Sequence, residues 1–350
     1  MGKERLLKIL ENALLKRASD VHISVNLPPI LRVNGELVAL SGEEIFTVSE
    51  LEEIVLNVLK TEQIQKFREN GEIDFAYSIH GLGRFRVNLF MQRGTPAFAI
   101  RIIPDRIPSF EELQIPPILK KFALLEKGLI IVTGPTGSGK STTLAAIIDF
   151  INSQKNCHIV TIEDPIEYLH RHNKSIIHQR EVGEDTKSFD RALISALRED
   201  PDVIMIGEMR DLNTMASAIT AAETGHLVMS TLHTSSAIGA IERIVDIFPP
   251  HQQNQIRVQL SDILACVIAQ RLLPRADGKG RIAAFEILVA TPAVKNLIRE
   301  GKTHQLLSAM QTGAKFGMQT MEQSLQKLLE GGLISKEVFE NYLREYSLVQ

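Results

Sequence analysis

The chain has 350 residues, enough for two domains, because a single core usually stops growing somewhat below that size. Hydrophobic residues at 44% and charged residues at 23% are ordinary for a globular protein, and a net charge of -3 supplies no basic field to draw nucleic acid or an acidic membrane surface. The two cysteines, Cys157 and Cys266, lie far apart and outside any Cys-x-x-Cys pair, which argues against a zinc site and a disulfide framework.

The first predicted element is an amphipathic helix over 4–17. Leu6, Leu10 and Leu14 recur at helical spacing with Leu7 beside them, and charges run throughout, unlike a signal peptide. No apolar run approaches the roughly 20 residues of a membrane span, so any membrane association is expected through a partner. Strand patterns follow at 21–25 and 30–40, the second folded at Asn34-Gly35, a hairpin turn signal. A helix is expected over 48–69, with Val48, Leu51, Ile54, Val55, Val58 and Leu59 as its stripe. Further strand patterns cover 74–79, 84–94 and 96–104. Residues 1–105 thus read as a small α+β domain with an antiparallel sheet. Four prolines in 104–118 remove backbone donors, so 106–118 reads as a linker.

From 119 to 350 the pattern changes to α/β. The runs 128–133, 158–164, 202–208 and 226–233 are short, continuous, apolar and rich in Ile and Val, with helical segments between them. Strands buried on both faces and alternating with helices indicate a parallel sheet. Beyond about 250 the chain reads as helical, apart from a strand-like 281–291. In particular 252–272 is expected to be a helix with Ile256, Leu260, Ile263, Leu264, Val267 and Ile268 on one face, and about 292–350 forms a helical C-terminal part.

The chemistry concentrates in this second half. Gly134-Pro135-Thr136-Gly137-Ser138-Gly139-Lys140-Ser141 is a G-x-x-x-x-G-K-S phosphate loop between an apolar strand and a helix carrying Leu144, Ile147, Ile148 and Ile151. Its glycines let successive N–H groups and the helix N-terminus face phosphate oxygens. Lys140 is expected to reach the β- and γ-phosphates of ATP, and Ser141 to give its hydroxyl to Mg2+. Hydrolysis also needs a carboxylate on the metal side and a group that orients water. Glu163 and Asp164 end one predicted strand with Glu167 just beyond, and Glu208 follows another, with Asp211 nearby. Acids at the carboxyl ends of parallel strands stand where such sheets bind ligands. His226 and His233 bracket a strand at an odd separation, which puts them on opposite faces rather than in a metal pair. Thr231 and Thr234 fit a structural role equally well. Arg84, Arg86 and Arg101 lie in strands of the first domain, and spacing alone makes them solvated or paired surface arginines.

GPTGSGKSTTLAA, TIEDPIEY, LREDPDVIMIGEMRD and GHLVMSTLHT, in this order, resemble the Walker A, Asp-box, Walker B and His-box motifs of the secretion ATPase superfamily that drives type II secretion and type IV pili. The likeness covers nearly the whole chain: ASDVHISVNLPPILRVNGEL resembles the superfamily's N-terminal PAS-like domain, and the stretch from Val294 to Leu325 resembles the retraction ATPases in particular. It implies a PAS-like domain followed by a RecA-like ATPase domain with a helical end. It also implies a cytoplasmic homohexamer that hydrolyses ATP with Mg2+ between subunits and retracts a pilus, producing twitching motility. The implied partners are an inner-membrane platform protein, which would hold the ring peripherally at that membrane, and an extension ATPase or accessory paralogue; no nucleic acid is expected. Carried over by motif, Lys140, Ser141 and Thr142 take the Walker A roles, and Glu163 activates water. Glu208 stands near Mg2+, His233 stands near the γ-phosphate, and Arg86 and Arg101 act on phosphate. Which glutamate is the base stays open. The four-cysteine element and longer N-terminal region of extension ATPases are missing, which fits retraction. His178 stands where asparagine is more usual. A nucleotide-binding regulatory subunit and a nucleic-acid translocase are the competing readings.

Overall fold

The computed structural model describes residues 2–33, 35–104 and 106–347, which fall into two compact units, up to Arg106 and from Ile107. Asn34 of the expected hairpin turn, and Asp105 at the expected domain end, lie outside the described residues; Gly35 has a φ of 91°, the left-handed geometry such turns need.

In the first unit α1 (Gly2–Leu15), β1 (Asp20–Ile23), β2 (Ile30–Val33), β3 (Glu36–Ala39), α2 (Val48–Val58), α3 (Thr61–Asn70), β4 (Glu72–Ile79), β5 (Gly83–Gln92) and β6 (Thr95–Ile103) build one antiparallel sheet in the order β3-β2-β1-β6-β5-β4. The strands alternate as a sheet with one packed face must: Phe85, Val87 and Leu89 of β5 and Phe98 and Ile100 of β6 are buried with Leu6, Leu10, Leu51 and Ile54 of the helices. The helix expected over 48–69 is two helices. Leu59 and Lys60 are extended, with ψ of 144° and 159°, and the Gln63 side chain accepts the Lys60 N–H to start α3. Leu51, Ile54, Val55 and Leu59 of the expected stripe are buried and Val58 packs against them, while Val48, the first residue of α2, is 40% exposed.

The second unit comprises α4 (Ile118–Ala123), β7 (Gly128–Thr133), α5 (Lys140–Gln154), β8 (His158–Glu163), β9 (Ile176–Glu181), α6 (Phe189–Ala196), β10 (Val203–Ile206), α7 (Leu212–Glu223), β11 (Leu227–Leu232), α8 (Ala237–Asp246), α9 (Pro250–Ile263), β12 (Leu264–Pro274), β13 (Arg281–Val289), α10 (Pro292–Arg299), α11 (Leu306–Thr312), α12 (Met321–Glu330) and α13 (Lys336–Ser347). Its sheet runs β13-β12-β7-β11-β10-β8-β9, parallel except for β13. Every residue of β7, β10 and β11 is buried, because helices cover both faces. Leu129, Ile131, Val160, Ile204 and Val228 pack under α6–α9, while Ile130, Val132, Ile159, Met205 and Met229 pack under α4 and α5.

Two further expectations meet a different outcome here. The helix expected over 252–272 ends at Ile263, and Leu264–Pro274 is a central strand paired with β7 and β13. An unbroken apolar run satisfies helical spacing and a doubly buried strand alike, and only the vacant edge of β7 decides between them. The expected linker has no strand, but Phe110 and Ile115 are buried against α4 and α5, so it is part of the second unit's core.

Candidate functional site

Because β7, β8, β10 and β11 are parallel, their carboxyl ends bring four loops to one edge of the sheet. The phosphate loop follows β7 and enters α5 at Gly139, whose φ is 88°. Glycine is required there and at Gly134, where φ is 150°: a Cβ on Gly134 would stand 2.4 Å from the Gln270 carbonyl oxygen, and one on Gly139 would stand 2.9 Å from Gln270 Nε2. Pro135, Thr136 and Gly137 are exposed at the loop tip, and Ser138 is buried. Lys140 is buried, and its Nζ donates to the carbonyls of Gly134 at 2.8 Å and Pro135 at 3.1 Å. Burial pushes its pKa down, and the charge of Glu208 opposes that shift, which puts Glu208 within electrostatic reach of the loop. Ser141 is exposed at the helix start. Thr142 meets the Tyr168 hydroxyl at 2.9 Å, and Thr143 donates to Gln270 Oε1 at 2.7 Å. Gln270 thus braces the loop from β12, a residue that the helical reading of 252–272 concealed.

Glu163 closes β8 and is 6% exposed. No described cation pairs with it. Its Oε1 accepts from Thr161 Oγ1 at 2.7 Å and Gln179 Nε2 at 3.2 Å, and its Oε2 accepts from the Glu167 N–H at 3.3 Å. Burial drives its pKa up, the three donors oppose that, and the nearby Glu167 charge adds to the rise. Asp164 and Glu167 are both exposed. After β10, Glu208 is bridged between Arg210 Nε at 2.6 Å and His233 Nε2 at 3.2 Å. Asp211 is occupied otherwise: it caps α7 by accepting from Thr214 N–H at 2.9 Å.

Several polar candidates are structural. Thr231 Oγ1 donates to the Gly207 carbonyl at 2.6 Å, and Thr133 Oγ1 donates to the Thr234 carbonyl at 2.8 Å, lacing the ends of β10, β11 and β7 together. His226 Nδ1 is held by the Ala221 carbonyl at 2.9 Å, away from His233. His178 pairs with His158 across the outer strands, Nδ1 to Nε2 at 2.8 Å. Both cysteines are free thiols, and burial pushes the Cys266 pKa up.

Arg86 and Arg101 belong to the first unit. They are directly opposed on β5 and β6, both exposed, on the face of the sheet away from its core. Arg101 Nε pairs with Asp20 at 3.1 Å, while Arg86 has no ion-pair partner among the described residues. Like charges directly opposite destabilise a sheet when uncompensated, and here the Asp20 carboxylate offsets one of the two. Arg84, two residues away, reaches Ser78 Oγ at 3.4 Å.

Beside the phosphate loop a pocket of roughly 150 Å³ opens between Gly139 and Thr142 on one side and Leu272, Arg275 and Arg281 on the other, with Gln114 at its rim. No described helix is long and apolar enough to cross a membrane.

Comparison with known proteins places these features in context. Residues 3–340 match the family model described as type II/IV secretion system protein. The chain is 47% identical over 320 residues to the type IV pilus retraction ATPase PilT of Pseudomonas aeruginosa, covering 91% of this chain and 92% of that one. It is 48% identical over 332 residues to a twitching motility protein of Neisseria gonorrhoeae, covering 95% and 88% respectively. The crystal structure of the pilus retraction motor PilT with bound ADP superposes with a TM-score of 0.89 at 50% identity, covering 95% of both chains.

Proposed function

Because the chain belongs to the type II/IV secretion system protein family, we propose that it is an ATP-hydrolysing motor that retracts a type IV pilus and so drives twitching motility. The observation that carries this reading is the meeting, at one sheet edge, of a glycine-built phosphate loop, the buried and cation-free Glu163, and the Glu208–His233 pair.

The N–H groups of Thr136–Thr142 receive the phosphates, and Lys140 turns from the loop carbonyls to the β- and γ-phosphate oxygens. The nucleoside extends into the pocket beside Thr142. Ser141, whose exposed hydroxyl has no protein partner among the described residues, and the Glu208 carboxylate are oxygen donors that fit Mg2+ and would hold it. Bound there, Mg2+ would offset charge on the β- and γ-phosphates. Glu163, kept basic by burial and by having no cation paired with it among the described residues, takes a proton from the attacking water. His233 stands near the γ-phosphate and orients Glu208. Arg86 and Arg101 of a neighbouring subunit bring positive charge to the transferring phosphoryl group.

The subunits form a homohexamer on the cytoplasmic side of the inner membrane and act on a platform protein of the pilus machine. Deleting the gene is expected to leave cells with normal or excess surface pili and no twitching, and Lys140→Ala is expected not to restore movement. Bald cells would contradict retraction.

A further inference from the structure

Glu163 is gripped unevenly. Oε1 receives two donors, from Thr161 and Gln179, whereas Oε2 receives one long N–H bond from Glu167. One oxygen is therefore fixed and the other keeps capacity for a proton. The Gln179 amide that supplies one of those donors is used completely. Its Nε2 also donates to the Tyr168 carbonyl at 2.8 Å, and its Oε1 accepts from the His170 N–H at 2.8 Å. The amide orientation follows from this pattern, since two acceptors face the nitrogen and one donor faces the oxygen. Tyr168 in turn places its hydroxyl 2.9 Å from Thr142 Oγ1 at the start of α5. Gln179 comes from β9, the edge strand, where its Cα pairs with that of Thr161, two residues before Glu163.

We infer that Gln179 is a positioning residue for ATP hydrolysis: it aims Glu163 with one amide hydrogen and, with the other, ties the 164–168 loop and its Tyr168–Thr142 contact to the same carboxylate. The inference rests on Glu163 being the base. Chemistry explains why a glutamine serves here. An arginine or lysine would pair with Glu163 and depress its basicity, whereas a neutral amide orients the carboxylate and leaves it uncompensated. Among the described residues no ion pair reaches Glu163 or the Gln179 amide, and Arg180, the next residue on β9, pairs with Glu199 instead. Glu167 and Glu181 are acids, with Glu181 Oε2 taken by the Ile166 N–H, and burial lowers the pKa of His170 to about 4, so it stays neutral. Among the described residues Gln179 has no hydrogen bond to the phosphate loop and reaches Thr142 only through Tyr168, so its main effect is expected on the chemical step rather than on nucleotide capture.

The test compares wild type, Gln179→Met, Gln179→Glu and Glu163→Gln as full-length chains, with steady-state ATPase kinetics across pH and binding of a fluorescent ADP analogue. Gln179→Met keeps the volume and loses every polar bond. Gln179→Glu keeps the acceptor for the His170 N–H, and thus the loop's seat, but loses both donors. Both are expected to lower kcat by about 10- to 100-fold, as loss of an orienting partner commonly does, with KM and analogue binding within about threefold. The acid limb of kcat should move to higher pH in Gln179→Met, because a donor to the charged form is gone, and further in Gln179→Glu, where a second carboxylate faces the first. Wild-type kcat with an unmoved acid limb in Gln179→Met, while Glu163→Gln is inactive, would overturn the positioning role alone. So would Gln179→Glu behaving as wild type, since the His170 bond would then be what matters. Turnover by Glu163→Gln near the wild-type rate would overturn the assignment of the base, and the inference with it.

Discussion

The two sheets of this protein place chemistry in different ways. In the second unit β7, β10 and β11 are buried at every position, so no side chain within them is free for a ligand. Its candidate functional groups come where strands stop: the phosphate loop after β7, Glu163 at the end of β8, and Glu208 and His233 after β10 and β11. In the first unit the sheet has one open face, and Arg86 and Arg101 sit in mid-strand, opposite one another, with Asp20 beside Arg101. A doubly covered parallel sheet confines a site to one edge. A singly covered antiparallel sheet can present one anywhere on its open face.

The comparison breaks most sharply if the open-face arginines prove idle. Arg86→Ala with Arg101→Ala is expected to cut kcat by about 10³-fold or more, within the range an arginine acting on phosphate contributes, while changing the thermal stability of the first unit little, because the repulsion and the Asp20 ion pair are lost together. Phosphate release and a thermal melt check both halves. Burial separates the sheets next: Ile131→Ala, fully enclosed, is expected to cost about 2–5 kcal/mol, whereas Leu37→Ala on the 57%-exposed edge strand β3 should stay within about 0.5 kcal/mol, both read by denaturant unfolding. A smaller effect follows from the raised pKa of Glu163. With Glu163 in the proposed role of base, which must be deprotonated to act, the acid limb of kcat should lie above the 4.5 of an ordinary glutamate, and activity should fall about tenfold per pH unit below it. The smallest concerns the laced strand ends. Thr234→Ala loses the hydroxyl contact to Thr133 and the bond to Ser236 and should cost about 1 kcal/mol in the second unit.

Much of this was legible in the sequence. The phosphate loop was, because few residue types tolerate left-handed backbone pressed against Gln270. So were the parallel strands, whose continuous Ile and Val runs have few other uses. The strand β12 was not, since Ile263, Leu264, Val267 and Ile268 fit a helix face as well as a buried strand, and with it Gln270 was hidden. The break at Leu59-Lys60 carries none of the usual punctuating residues and is set by the Gln63 cap and by where Leu59 finds its core. The pairing of Arg86 with Arg101 depends on strand register, and the grip of Gln179 depends on contacts from three separate segments. Local spacing encodes neither.

We propose that one subunit's buried carboxylate and another subunit's open-face arginines complete a single hydrolytic site. Co-assembling an Arg86→Ala, Arg101→Ala chain with a Glu163→Gln chain tests it directly, because neither chain alone has a complete set. If the arginines act across subunits, equal mixing should restore activity at about a quarter of the interfaces in a closed ring. A mixture no more active than its separate components would contradict the account.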